Sequence, residues 1–133
     1  MGVVLINLAR GLGAAALTVL VALVLPPAFR VPIVGVLLGF AAGVYPGFAQ
    51  TGSGFEARLQ WVVALGFAAI AVVGITISAW WLAAGWALHA AWDARHHGGR
   101  RGDWVPHGYP MVCFSYDLVL AAFAAWLALG GSA

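Results

Sequence analysis

Three of the four histidines of this chain stand close to one of its four acidic residues, in the stretch HAAWDARHH at positions 89–97. In a helix successive residues are turned by about 100°, so His89, Asp93 and His96 fall on one narrow stripe. His97 lies at the margin of that stripe. Imidazole and carboxylate groups spaced in this way can converge on one metal ion or exchange protons with one substrate group. The stretch therefore predicts a metal-binding or proton-transfer site.

A second polar pair, closer to the C-terminal end of the sequence, repeats the spacing of four residues. Cys113 and Asp117 would lie one turn apart on one helix face, near the depth of the first stretch. Nitrogen, oxygen and sulfur donors on two facing helices suit zinc or iron. We therefore expect a divalent metal, zinc before iron, and the predicted ligands are His89, Asp93, His96, His97, Cys113 and Asp117. Asp93 and Glu56 are the candidate catalytic residues, as proton acceptors for a water that the metal activates.

Several of these residues also have a structural explanation, which the sequence leaves open. His97 falls in a last helical turn, where a positive side chain complements the helix dipole. Glu56 follows Ser53 at the spacing of a capping box, and a single cysteine such as Cys113 is often a small buried hydrophobe. A closed hydrogen-bond network would satisfy the whole cluster without a metal. An acid inside a spanning helix costs roughly 2.5–3.5 kcal/mol on insertion scales, which favours a functional task for the aspartates of the cluster.

The composition places these polar residues in a membrane. The chain has 133 residues, of which 64% are hydrophobic and 8% are charged, whereas a soluble domain typically carries about 25% charged residues. Such a small number of charges cannot solvate the surface of a globular protein. The medium around this protein must therefore be mostly lipid. All six basic residues are arginines scattered along the chain, which excludes a basic nucleic-acid-binding surface.

Five apolar segments are long enough to cross a bilayer, which takes about 17–25 residues in a helix. The predicted fold is an all-α integral membrane bundle that forms one transmembrane domain over residues 1–133. The third and fourth spans are separated between Gly74 and Ser78, where Thr76 or Ser78 can cap a new helix. The predicted spans are about 3–25, 32–48, 55–73, 77–97 and 110–129.

The distribution of arginines predicts the orientation of the bundle. With five spans, one face carries five arginines and the other face carries only Arg30. The positive-inside bias then places the N-terminus in the cytoplasm and the C-terminus outside. The candidate site residues gather at the cytoplasmic face as well. The arginines of that face are Arg10, Arg58, Arg95, Arg100 and Arg101.

Three glycines recur at every fourth position of the second span: Gly35, Gly39 and Gly43. Small residues at this spacing let another helix approach at a distance that a larger side chain would prevent. We expect this face to pack against a helix of the same chain or of a second copy in a homo-oligomer.

Two sequence stretches, GWALHAAWDARHHG and CFSYD, resemble an uncharacterised family of small bacterial multi-pass membrane proteins, domain-of-unknown-function family six thousand and ten. VYPGFAQTGSGFEARL, further upstream, is similar to the same family. The resemblance implies a location in the bacterial cytoplasmic membrane, but it implies no activity. Family members often have a second cysteine where this chain has Tyr116. The matched residues are Tyr45, Glu56, Gly85, Trp86, His89, Trp92, Asp93, His96, His97, Cys113 and Asp117.

Three functions fit these observations. The first is a metal-dependent membrane enzyme whose lipid-like substrate enters from the surrounding membrane lipids. The second is a small transporter, or a conduit for protons or metal ions, and the third is a non-catalytic accessory membrane subunit. The clustering of the polar groups at one face disfavours a conduit, because no trail of polar residues leads toward the other face.

Overall fold

A computed structural model describes residues 2–51, 54–97 and 105–131 of the chain. The described residues form five α-helices and no strand, which confirms the predicted all-α fold. A 3-10 turn at Ala49–Thr51 follows the second helix, and a π-helical turn at Leu127–Gly131 follows the fifth. The helices are α1 (Gly2–Val24), α2 (Pro27–Phe48), α3 (Phe55–Thr76), α4 (Ala79–His96) and α5 (Tyr109–Trp126).

The lengths and compositions of these helices agree with a membrane bundle. Among the described helices, α1, α2, α3 and α5 are long and apolar enough to cross a membrane. α4 has 18 residues and carries the polar stretch with His89 and Asp93. It packs mainly against α5 and α3, and α5 packs against α1 on its other side. The polar helix is thus held among apolar ones.

Trp86 joins α4 to the hydrophobic core, where it is the largest fully buried side chain. A buried indole N–H needs a hydrogen-bond acceptor. Here Nε1 of Trp86 donates to the carbonyl oxygen of Val34 in α2, at 3.2 Å. The ring also lies edge-on to Tyr116 of α5, with 5.8 Å between ring centroids. One side chain therefore fixes α4 relative to both α2 and α5.

The boundary between α3 and α4 lies where the sequence predicts it. α3 ends at Thr76, and Ser78 is the N-cap of α4, its hydroxyl accepting from the backbone N–H of Trp80 at 3.4 Å. A cap of this kind satisfies one of the free N–H groups of a new helix. The region from residue 56 to residue 97 is therefore two helices.

The start of α2 differs from the prediction, whereas the start of α3 agrees with it. α2 begins at Pro27, five residues before the predicted start near Pro32. Proline fits a first helical turn, which explains Pro27, while Pro32 is tolerated inside a helix that neighbouring helices support. α3 begins at Phe55, after Gly54 with its positive φ of 92°. Ser53, the first residue of the expected capping box, lies outside the described residues.

The glycine face of α2 meets another helix of the chain at only one of its three positions. A Cβ atom at Gly35 would overlap the side chain of Ile75 in α3, whereas at Gly39 and Gly43 it would meet nothing within 4 Å. For these two positions the expectation of a neighbouring helix within the described part of the chain is wrong. The reason is that a spacing of four residues turns the stripe by about 40° at each step. Packing of this face against a second copy stays a prediction.

Candidate functional site

The buried polar residues of the described chain all lie in one half of the bundle. They occupy the first halves of α1, α3 and α5 and the second half of α4, which meet because the helices alternate in direction. A polar group buried without a partner is costly, so such residues gather where they can bond to one another. The set comprises Asn7, Gln60, His89, Asp93, His96, Ser115 and Asp117.

His89 of α4 and Asp117 of α5 form the centre of this polar half. Nδ1 of His89 and Oδ2 of Asp117 are 2.7 Å apart. An ionised carboxylate can only accept, so the imidazole N–H donates. Both residues are at most 2% exposed, and Asp93 is fully buried. A charge-assisted hydrogen bond of this length in an apolar surrounding is a strong one.

Asp93 completes a group of three possible metal ligands. It lies one helical turn after His89, and its Oδ2 is 3.7 Å from His89 Nδ1, beyond hydrogen-bond distance. One ligand atom from each of His89, Asp93 and Asp117 lies within 4.8 Å of the others. Nε2 of His89 and Oδ2 of Asp93 are buried and have no hydrogen-bond partner among the described residues. The network is therefore not closed.

Tyr45, near the end of α2, holds the other oxygen of Asp93. Its hydroxyl donates to Oδ1 of Asp93 at 2.7 Å, across 48 positions of the sequence. Its ring packs on that of His96, with a centroid distance of 4.3 Å. The family resemblance singles out Tyr45, but the helical periodicity around it gives no sign that it contacts Asp93. Oδ2 of Asp93, which has no partner among the described residues, is available for another ligand.

His96 is placed in the same polar half but has different partners. Its Nδ1 lies 2.8 Å from the carbonyl oxygen of Trp92, one turn earlier in α4, and must donate to it. Nε2 lies 3.3 Å from Nε2 of Gln60 in α3 and, in the neutral ring, accepts from that amide. These bonds fix the tautomer of the neutral imidazole. His96 thus lies on the predicted helix face, but it does not belong to the group formed by His89, Asp93 and Asp117.

The other predicted site residues are also outside that group. His97 is exposed at the end of α4, since it is turned by about 100° from His96. Glu56 is half-buried in the first turn of α3, one turn before Gln60. Cys113 is a free, half-buried thiol in α5. Their assignment as metal ligands or, for Glu56, as a catalytic base stays a prediction.

A cleft of about 360 Å³ opens beside the His89–Asp117 pair. Its walls come from α2, α4 and α5, and most of the residues along them are apolar. Phe40 at one wall is 73% exposed to the surroundings of the bundle. The lining residues are Leu37, Phe40, Ala41, Val44, Trp86, His89, Tyr109, Val112, Cys113, Tyr116 and Asp117.

Comparison with known proteins gives one match. A family of unknown function, DUF6010, matches residues 6–132. The match confirms the resemblance seen in the sequence and extends it to nearly the whole chain. No curated protein and no solved structure gives a significant match.

Proposed function

This chain belongs to the family of unknown function DUF6010, and we propose from its site that it is a membrane enzyme with a buried divalent metal ion. The proposed ligands are His89, Asp93 and Asp117. The single observation that carries the proposal is the group of three buried ligand atoms within 4.8 Å of one another. Two buried atoms of these residues, Nε2 of His89 and Oδ2 of Asp93, have no hydrogen-bond partner in the described part of the chain.

The charges of the group support a divalent ion. Two carboxylates in an apolar interior need two compensating positive charges, and a protonated His89 supplies one of them. A divalent ion with a neutral imidazole would balance both carboxylates. The alternative of a closed hydrogen-bond network is disfavoured, because such a network would leave neither His89 Nε2 nor Asp93 Oδ2 unpartnered.

One imidazole and two carboxylates suit zinc or iron, the metals expected from the sequence. Such a metal supplies Lewis acidity, which polarises a substrate oxygen or activates water. Tyr45 orients Asp93 through Oδ1, so that Oδ2 is directed either to the metal or to a proton. If Oδ2 does not bind the metal, Asp93 is the candidate proton acceptor, and if Oδ2 binds it, the candidate is Glu56 in the first turn of α3.

The substrate proposed for this site is lipid-like, because the group lies among helices that are long and apolar enough to cross a membrane. A transporter or conduit is less well supported. The buried polar residues of the described chain stop in one half of the bundle, so they do not form a path from one face to the other.

Metal analysis of the purified protein tests this proposal. Protein isolated in mild detergent without chelator is expected to contain close to one zinc or iron ion per chain. After removal of the ion by a chelator, it should take up the same metal again at micromolar concentration. A protein that contains neither metal and takes up neither at that concentration would overturn the metal centre.

The orientation proposed for the bundle is that of a bacterial cytoplasmic membrane protein with its N-terminus and its polar half at the cytoplasmic side. The arginine asymmetry motivates it. Five spans put the two termini on opposite sides, so a phosphatase fused to the C-terminus should be active and a fluorescent protein fused there should be dark. The reverse result would show that either the orientation or the number of spans is wrong.

A further inference from the structure

The cleft between α2 and α5 exists because these two helices barely touch each other, although α4 contacts both. We propose that the cleft binds the hydrocarbon chain of a membrane lipid and brings the uncharged, oxygen-bearing end of that lipid to His89 and Asp117. The inference deepens the proposed function and rests on it for the reaction at the lipid's polar end. It names where the substrate lies and which kind of polar group the site receives.

The walls of the cleft select a hydrocarbon chain. Leu37, Ala41 and Val44 of α2 face Val112 of α5 across it. Both helices are long and apolar enough to cross a membrane, and Phe40 at the cleft wall is exposed, so lipid chains of a surrounding bilayer would reach the cleft. Its volume of about 360 Å³ lies at the lower end of the range of about 300–1,000 Å³ for ligand sites. This size suits a single chain.

The inner wall of the cleft selects the polar end of the lipid. His89 and Asp117 are the ionisable pair on this wall. Ligand atoms of this pair and of Asp93 lie within 4.8 Å of one another. In the proposed site the divalent ion balances the two carboxylates, so an anionic headgroup would add an unbalanced charge in a medium of low dielectric constant, which is costly. A hydroxyl or similar group can instead donate to an oxygen of Asp117, or to the ring nitrogen of His89 that does not bond to Asp117. The apolar side chains of a second protein helix would instead leave Nε2 of His89, which has no partner among the described residues, unbonded.

Photolabelling in lipid nanodiscs tests the inference. The probe is a long-chain alcohol with a photoreactive group in its chain, and the labelled peptides are mapped by mass spectrometry. Labels are expected on residues 37–44 and 109–117. A Val44→Trp variant, which fills the cleft, should reduce this labelling about tenfold. Leu65→Trp is the matched control, because Leu65 is a 70% exposed residue of α3 outside the cleft. In this variant the labelling of the cleft residues should stay unchanged.

Competition and metal content separate the possible failures. Unlabelled long-chain alcohol should compete about tenfold better than the alkane of equal length, and equal competition would overturn the placement of the polar end. Labels spread evenly over all lipid-facing helices would overturn the cleft as a binding site.

Ala41→Phe repeats the test from another position, and unchanged metal content shows that each variant is folded. Cleft labelling of a protein that binds no metal supports lipid binding and overturns only the metal centre.

Discussion

A His89→Ala variant is expected to bind zinc or iron at least about a hundredfold more weakly than the unaltered protein. Removal of a group that merely supports a ligand typically lowers metal affinity about 10–100-fold, so loss of a ligand should reach the upper end of that range. His89 also donates to Asp117 at 2.7 Å. Its removal therefore leaves two buried carboxylates facing each other without a fixed positive neighbour. Titration calorimetry on chelator-treated protein measures the affinity.

His97→Ala is the matched control, since it removes the same group from the same helix. His97 is exposed and lies outside the group of three ligands, so its removal should leave the metal affinity unchanged. Equal losses in both variants would show that the ligands are those of the wider set predicted from the sequence. Unchanged binding in His89→Ala would show that the metal, if present, is bound elsewhere.

The helices of this fold follow closely from the sequence, because four of the five described helices are long apolar segments and their ends are recognisable. Residue type limited the N-cap of α4 to Thr76 or Ser78, and the structure has Ser78. Pro32 did not identify the start of α2, because Pro27 and Pro32 both suit a first helical turn. The helix begins at the earlier one. Local signals indicate that a helix must begin in this region, but support from neighbouring helices decides which proline ends up inside it.

The site follows from the sequence only in part. Periodicity within α4 places His89 and Asp93 together, and the short connection to α5 predicts that Asp117 is near them. Periodicity does not reveal contacts across helices, such as that of Tyr45 with Asp93 or of Gln60 with His96. Such pairs depend on how far each helix is shifted along its neighbour. That shift is set by packing over the whole interface.

The glycines illustrate the same limit. A repeat of four residues identified Gly35, but it also suggested Gly39 and Gly43, which no helix of the described chain approaches. A close contact between α1 and α5 lies at Gly11 instead, which is not part of this glycine repeat. Spacing shows which residues share a face. It does not show whether a helix lies opposite.

Gly11 connects this packing to the site. A Cβ atom there would overlap Oγ of Ser115 and the backbone carbonyl oxygen of Val112. The absence of a side chain allows the Ser115 hydroxyl to donate to the carbonyl oxygen of Leu8 at 2.9 Å. Ser115 is two residues from Asp117, so the contact with α1 helps to set the position of α5 and of the carboxylate it carries.

A Gly11→Ala variant is accordingly expected to lower the free energy of unfolding by about 1–3 kcal/mol, the usual range when a packed interface receives an extra carbon. One of the overlapping atoms is a backbone oxygen, which cannot move unless α5 moves with it. Gly13→Ala is the control, because a Cβ atom there meets nothing within 4 Å. That change should leave stability equal or raise it by up to about 1 kcal/mol, since alanine is the better helix former.

Denaturation in mixed micelles, followed by circular dichroism, compares the two variants under one condition. A displaced α5 should also weaken metal binding in Gly11→Ala, because Asp117 would no longer lie within hydrogen-bond distance of His89. If Gly11→Ala and Gly13→Ala were equally stable, α1 and α5 would not be in close contact at this point. A destabilised Gly11→Ala variant with unaltered metal affinity would show instead that the site keeps its geometry without support from α1.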